Sequence, residues 1–200
     1  TATVWKASGT SAAIVLSGPN PPLAPVLNPA GTQIFDWSLA GTTSGTLTLS
    51  GSVSTDSGVA SNKPSVAITV QTPASLSAAL KAYASAICTG QNFVVTLTVT
   101  NTGQATAVGV VPEDPIGSGA GGAVWVEGPF PVGPVVLGLN QSVTFSYTYS
   151  GSSAGVVVLT ATAYGTDANS GAAVSSGPKD SGGVTLTTPG SLVAVVTTPP

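Results

Sequence analysis

The chain has 200 residues, enough for one large all-β domain or for two of about 100 residues each. Only 6% of it is charged and the net charge is −3, so no basic patch exists to attract nucleic acid; with no His there is no His-dependent triad and no His-ligated zinc. The 25 Gly and 16 Pro interrupt the chain too often for long helices, and no apolar run reaches the roughly 20 residues of a membrane-spanning helix.

Thr and Val favour pleated, half-buried surfaces, and Thr, Ser, Gly and Asn keep the rest wet without charge. The chain contains no Met and no signal peptide, which fits a secreted, extracellular or cell-surface protein after processing. Cys88 is alone and reads as a small buried hydrophobe on a strand.

Taken in order, Val4-Trp5 and Ala12 to Leu16 are short apolar segments. They precede Phe35-Asp36-Trp37-Ser38-Leu39-Ala40-Gly41, which overlies Phe145-Ser146-Tyr147-Thr148-Tyr149-Ser150-Gly151, 110 residues on. The match continues through Leu47 on Val157 and Leu49 on Leu159, then Asp56 on Asp167 and Lys63 on Lys179. It ends with Ile68, Val70, Pro73, Ser75 and Leu76 on Val184, Leu186, Pro189, Ser191 and Leu192. Each copy alternates apolar and polar residues, as Phe93, Val95, Leu97 and Val99 do against Val94, Thr96, Thr98 and Thr100. Many short strands with turn signals and no helical segment predict a sandwich. The second copy also has an opening strand, Ser75 to Ala84, a strand from Phe93 to Thr100 and a segment from Ala105 to Val111. The first copy, whose Val4-Trp5 resembles Val124-Trp125, lacks the counterpart of roughly residues 74–115.

After the second copy the chain continues as Ser191-Leu192-Val193-Ala194-Val195-Val196, which matches the opening strand Ser75 to Leu80. One copy lacks an opening strand and one opening strand lacks a domain. The predicted organisation is therefore an incomplete acceptor sandwich over 1–72, a complete sandwich over 73–189 and a donor strand over 190–200. Trp5, Phe35, Trp37, Leu47 and Leu49 are expected to line the acceptor groove. Leu192, Val193, Ala194, Val195 and Val196 are expected to form the donor strand that fills it in a neighbouring copy. A head-to-tail contact of that kind does not close on itself, and it makes the chain its own partner in a homopolymer.

The stretch Val94-Val95-Thr96-Leu97-Thr98-Val99-Thr100-Asn101-Thr102-Gly103-Gln104-Ala105 resembles the TVTNTG-x-A signature of DUF11-type and CARDB-type immunoglobulin-like repeats of prokaryotic cell-surface proteins. Val110 followed by Asp114-Pro115, the lead-in Leu139-Asn140-Gln141-Ser142-Val143-Thr144-Phe145, and Gly155 followed by Thr160-Ala161-Thr162-Ala163 extend the likeness over residues 75–187. The resemblance implies tandem immunoglobulin-like sandwiches and a role in surface architecture, adhesion or filaments, with no catalytic constellation to carry over. The mismatched ends resemble those of a donor-strand pilus subunit.

Chemical sites are few, and neither an enzyme activity nor a cofactor is expected. Glu113, Asp114, Asp167 and Asp180 are candidates for a weak calcium site, with turn-forming Asp as the plainer alternative. Lys81 is the candidate for an isopeptide bond, and Asn140, in Asn140-Gln141-Ser142, is the sole N-x-S/T sequon and a candidate for glycosylation. Trp5, Trp37 and Trp125 with Tyr147, Tyr149 and Tyr164 read either as core and cross-strand pairs or as a sugar-stacking platform. The platform belongs to the runner-up function, an adhesin or carbohydrate-binding fragment of a larger surface protein with a surface or glycan ligand. An accessory domain of a secreted enzyme is a third option.

Overall fold

The computed structural model describes all residues except 23–25, 28–29 and 197–200. Among the described residues every regular element is a strand, and the chain divides into two compact units, Thr1–Thr72 and Pro73–Pro200.

The first unit has five strands: β1 (Ala2–Ser8), β2 (Ala13–Asn20), β3 (Asp36–Gly41), β4 (Gly45–Val53) and β5 (Ser65–Val70). They form an antiparallel sheet in the order β1-β4-β5 and a separate antiparallel pair, β2-β3. Alternation in β4 sends Leu47 and Leu49 to one side, yet Leu47 and Ala2 are the only apolar residues of this unit that are buried among those described. That is too little apolar burial for an independent core of ordinary quality.

The second unit is larger. Its strands are β6 (Leu76–Ala82), β7 (Ala86–Cys88), β8 (Asn92–Asn101), β9 (Ala107–Pro112), β10 (Ile116–Gly119), β11 (Gly122–Phe130), β12 (Val135–Leu137), β13 (Ser142–Ser153), β14 (Gly155–Ala161), β15 (Ala163–Asp167), β16 (Ala173–Ser175) and β17 (Lys179–Thr187). One sheet has the order β11-β13-β8-β6, and the others run β10-β14-β17-β7 and β12-β9-β15-β16. The inward residues of β6, β8 and β13 meet those of β9, β14 and β17 in a single apolar cluster. Leu97, Val99, Phe145, Tyr147, Val157, Leu159 and Val184 all lie within it. The alternation read from Phe93 to Thr100 and from Phe145 to Tyr149 is what puts these side chains on one face.

The internal repeat can be followed strand by strand. Ala13, Ile14 and Val15 pair with Gly41, Ala40 and Leu39 as Ala123, Val124 and Trp125 pair with Gly151, Ser150 and Tyr149. The left-handed glycines recur at the same spacing: Gly9 with Gly119, Gly18 with Gly128, and Gly45 with Gly155. At Gly18 a Cβ would sit 2.6 Å from the Trp37 ring, and at Gly128 2.6 Å from the Ser146 carbonyl oxygen, so both let an edge strand close on its neighbour. Hence β1, β2, β3, β4 and β5 correspond to β10, β11, β13, β14 and β17. The expected pairing of Val4-Trp5 with Val124-Trp125 is therefore corrected: the counterpart of Val124-Trp125 is Ile14-Val15, and β1 answers to β10 through the shared partner strand. Among the described residues of the first unit, nothing answers to β6, β7 or β8.

The Asn-Thr-Gly run at the end of β8 has an architectural task. Buried Asn101 donates its amide hydrogens to the Ala105 and Leu137 carbonyls at 2.8 and 2.9 Å, and its Oδ1 accepts the Ser75 and Gly103 N–H groups at 3.1 and 3.0 Å. Gly103 lets Pro73 to Ser75 pass close by, since a Cβ there would overlap the Pro73 carbonyl oxygen. Tyr147 and Tyr149 donate their hydroxyls to the Glu113 and Pro115 carbonyls at 3.3 and 2.5 Å. Burial, reinforced by the negative charge of Asp114, pushes Tyr149 up to about 12 and Tyr147 higher still.

Asn101→Ala leaves two N–H groups and two carbonyls around it without their partner. At about 1–3 kcal/mol for each buried orphan, the second unit should lose more than 2 kcal/mol, seen as a lower urea midpoint in the near-ultraviolet signal of Tyr147 and Tyr149.

Candidate functional site: an uncovered groove in the first unit

β3 presents Phe35 (just before it), Trp37 and Leu39 at every second position, and β4 presents Leu49 in the same sense. Between them runs an open cleft of about 320 Å³ lined by Val4, Trp37, Leu39, Leu49, Pro64 and Val66, with Ser50, Gly51 and Ser65. A second hollow of about 210 Å³ shares Trp37, Gly51 and Pro64 with it and extends the path to Phe35 and Val53. The Phe35 and Trp37 rings meet at 6.4 Å, tilted by 39°. No residue lining either hollow carries charge, so an occupant gains nothing from ionic contact and must be apolar.

The second unit shows what normally covers such a surface. Tyr147, Tyr149, Leu159 and Val184, the counterparts of Trp37, Leu39, Leu49 and Ile68, are all buried, because β8 and β6 extend the sheet of β13 sideways and β6 packs across onto β17. Ile68 is 42% exposed, whereas Val184 is 1% exposed. Two backbone edges are also open among the described residues. β3 pairs only with β2, although its counterpart β13 also takes β8, and β5 pairs only with β4, although β17 also takes β7.

The expected groove residues separate on this geometry. Phe35, Trp37 and Leu49 lie in the cleft. Leu47 is not a lining residue, because the unit's own chain already buries it. Trp5 is a correction as well: strand alternation turns Val4 inward and leaves Trp5 37% exposed outside the cleft. Sequence reading overlooked Val4, Leu39 and Val66. The signal was present, since Leu39 follows Trp37 by two and lies opposite Tyr149 in the repeat.

At the other end, residues 191–196 form no strand, and Leu192, Val193, Ala194, Val195 and Val196 are all exposed, Leu192 and Val196 almost completely. Residues 197–200 of the expected donor segment lie outside the described residues. The tail leaves the second unit at the end opposite its entry. Asp167, at the turn between β15 and β16, holds Ala74 at the entrance, and β17 then runs away from that turn, parallel to β7.

The remaining candidates are placed as follows. The acidic set does not converge: no three His, Cys, Asp or Glu side chains among the described residues stand together as metal ligands. Glu113 and Asp114 are exposed, and Asp180 accepts the Thr160 hydroxyl at 2.7 Å. Asp167 is buried, and its oxygens are taken by the Ala74 N–H at 2.6 Å, the Asn169 and Ser170 N–H groups at 3.0 and 2.7 Å and the Ser170 hydroxyl at 2.8 Å. Lys81 is exposed, its Nζ 4.7 Å above the Tyr83 ring, and so does not meet the burial an isopeptide bond requires. Asn140 is exposed in the turn before β13, with φ of 59°. Of the aromatic set, Tyr147 and Tyr149 are core, while Trp125 and Tyr164 are about half exposed on different sheets. No helix of the described residues is long and apolar enough to cross a membrane. No family model, curated protein or solved structure matches the chain.

The hydrogen bonds from Ala74 and Ser170 hold the Asp167 carboxyl at about 2, below the ordinary 3.8. A depressed folded pKa stabilises above the unfolded value and loses that effect as pH falls through the folded one. Wild type should therefore exceed Asp167→Asn in stability by a constant margin above about pH 4, with the two converging as pH drops from about 4 to about 2. Denaturation midpoints across that range measure it.

Proposed function

We propose that this protein is a structural subunit of an extracellular, cell-surface filament built from two immunoglobulin-like sandwiches, the first of which is completed by the C-terminal strand of the next copy. The observation that carries this reading is the contrast between equivalent strands. Val184 lies covered in the second unit, while Ile68 and the cleft beside it lie bare in the first. The tail supplies what is missing: Leu192, Ala194 and Val196 repeat the phase of Leu76, Ala78 and Leu80, which serve in β6. Burying Leu192 and Val196 contributes about 1.5–3 kcal/mol each, and an added strand satisfies backbone groups that β3 or β5 otherwise leaves to water.

The donor comes from a neighbour for a geometric reason. Only Thr188 to Ser191 separate β17 from Leu192, a reach of about 14 Å when extended. The tail departs from the far end of a unit whose longest strand has 12 residues, about 40 Å. Contact with a second copy is heterologous and propagates into a fibre. The resemblance to surface-protein repeats, read from Val94 to Ala105, agrees with an extracellular setting.

Negative-stain microscopy of the purified chain should show uniform fibres. Deleting residues 190–200 should abolish them, and Leu192→Asp or Val196→Asp should do the same by placing a charge in an apolar cleft at a cost of several kcal/mol. Fibres that persist after the deletion would refute strand donation.

A further inference from the structure

The cleft has two open edges, and strand donation alone does not say which one receives the tail. We propose that residues 192–196 join β5, in parallel, extending the sheet β1-β4-β5 to a fourth strand; this rests on the reading above and assigns its register.

Three observations point to that edge. First, the counterpart of β5 already accepts a parallel strand at this edge, for β17 pairs with β7 through Thr185 with Ala86, Leu186 with Ile87 and Thr187 with Cys88. By the repeat, Thr185 and Leu186 stand where Thr69 and Val70 do.

Second, polarity separates the two edges. β6 and β7 form one path, crossing from one layer to the other through Tyr83 to Ser85, and β6 packs onto β17 before β7 pairs with it. A tail that enters a neighbour with the polarity of β6 runs parallel to both β3 and β5. At the edge equivalent to β3 the second unit holds an antiparallel strand, β8, paired with β13 from Ser142 with Thr100 to Ser150 with Asn92. Only the β5 edge has a parallel precedent.

Third, the side chains match in phase. Val66, Ile68 and Val70 alternate along β5, Val66 lines the cleft, and Ile68 is bare. In parallel pairing Leu192, Ala194 and Val196 fall in phase with them, extending the apolar face that carries Leu49 and Val66 toward Trp37 on β3. Val193 and Val195 fall in phase with Ala67 and Thr69 on the outer face.

Disulfide trapping in full-length filaments tests the assignment. In a Cys88→Ser background, Val193→Cys or Val195→Cys is combined with Ala67→Cys or Thr69→Cys for the β5 edge, and with Ser38→Cys for the β3 edge. The filaments are then oxidised and run without reductant. Paired Cα atoms of neighbouring strands lie within disulfide reach. The expected result is a ladder of covalent multimers through Ala67 or Thr69 and none through Ser38. A ladder through Ser38, or microscopically intact filaments with no ladder at β5, overturns the β5 assignment while leaving strand donation in place. A cross-link confined to single chains overturns donation itself, and the β5 assignment with it. Hydrogen exchange on wild-type filaments gives an independent readout free of substitutions. Amides of Val66 to Val70 should slow at least tenfold on assembly, and those of Trp37 to Leu39 should slow less; the reverse order overturns the proposal.

Discussion

A β-sheet whose side chains alternate has one face that must be laid against something apolar, and each outer strand carries a row of N–H and C=O groups that must find partners or water. In the second unit both demands are met within the chain. β8 and β6 widen the sheet of β13 so that its inward face meets that of β14 and β17, and β7 takes the edge of β17. In the first unit five corresponding strands raise the same demands, and the described residues do not meet them. The apolar cleft around Trp37 and Leu49 and the bare Ile68 both follow from that single omission.

The second unit also shows how an entering strand is held. Ala74 and Ser75 are bound by Asp167, by Asn101 and by the Thr102 N–H, which donates to the Ser75 carbonyl at 2.8 Å. This clamp is built from the end of β8 and the turn after β15; among the described residues the first unit has no strand equivalent to β8, although Asp56 stands where Asp167 does in the repeat. The connection between β4 and β5 is shorter than the one between β14 and β17, which carries β15 and β16, and the repeat spacing grows from 110 to 116 residues across it. In the proposed assembly, a strand arriving at the first unit meets the groove without the part of the clamp that β8 supplies, and its hold rests more on apolar burial and edge hydrogen bonds.

Much of this was legible before any coordinates. The alternation of Phe93 to Thr100 and of Phe145 to Tyr149 marked core strands, because a period of two has one structural meaning. The repeat anchored on Phe35 and Phe145 located equivalent strands, and the likeness of Ser191-Leu192 to Ser75-Leu76 marked the tail. What misled was a two-residue likeness: Val4-Trp5 resembles Val124-Trp125 in letters, but pairing with β4 rather than β3 places β1 in the other sheet. Trp5 is large and apolar, yet the strand's own alternation turns it out of the cleft. The local bonds of Asp167 to Asn169 and Ser170 are those of a turn-forming Asp, whereas its bond from Ala74 lay beyond reach, 93 residues away along the chain.

Scarcity of charge belongs to the same argument. Where the second unit exposes its β8 and β13 face, hydroxyls pair across strands, Thr98 with Thr144 at 3.0 Å and Thr100 with Ser142 at 2.7 Å. Such a surface stays hydrated with little net field, so screening by salt alters it little. Neither the cleft nor residues 192–196 carry charge, so an assembly made through them gains no steering from long-range attraction and loses little when ions are added. The free chain must then keep an apolar strand and an apolar groove in water at the same time.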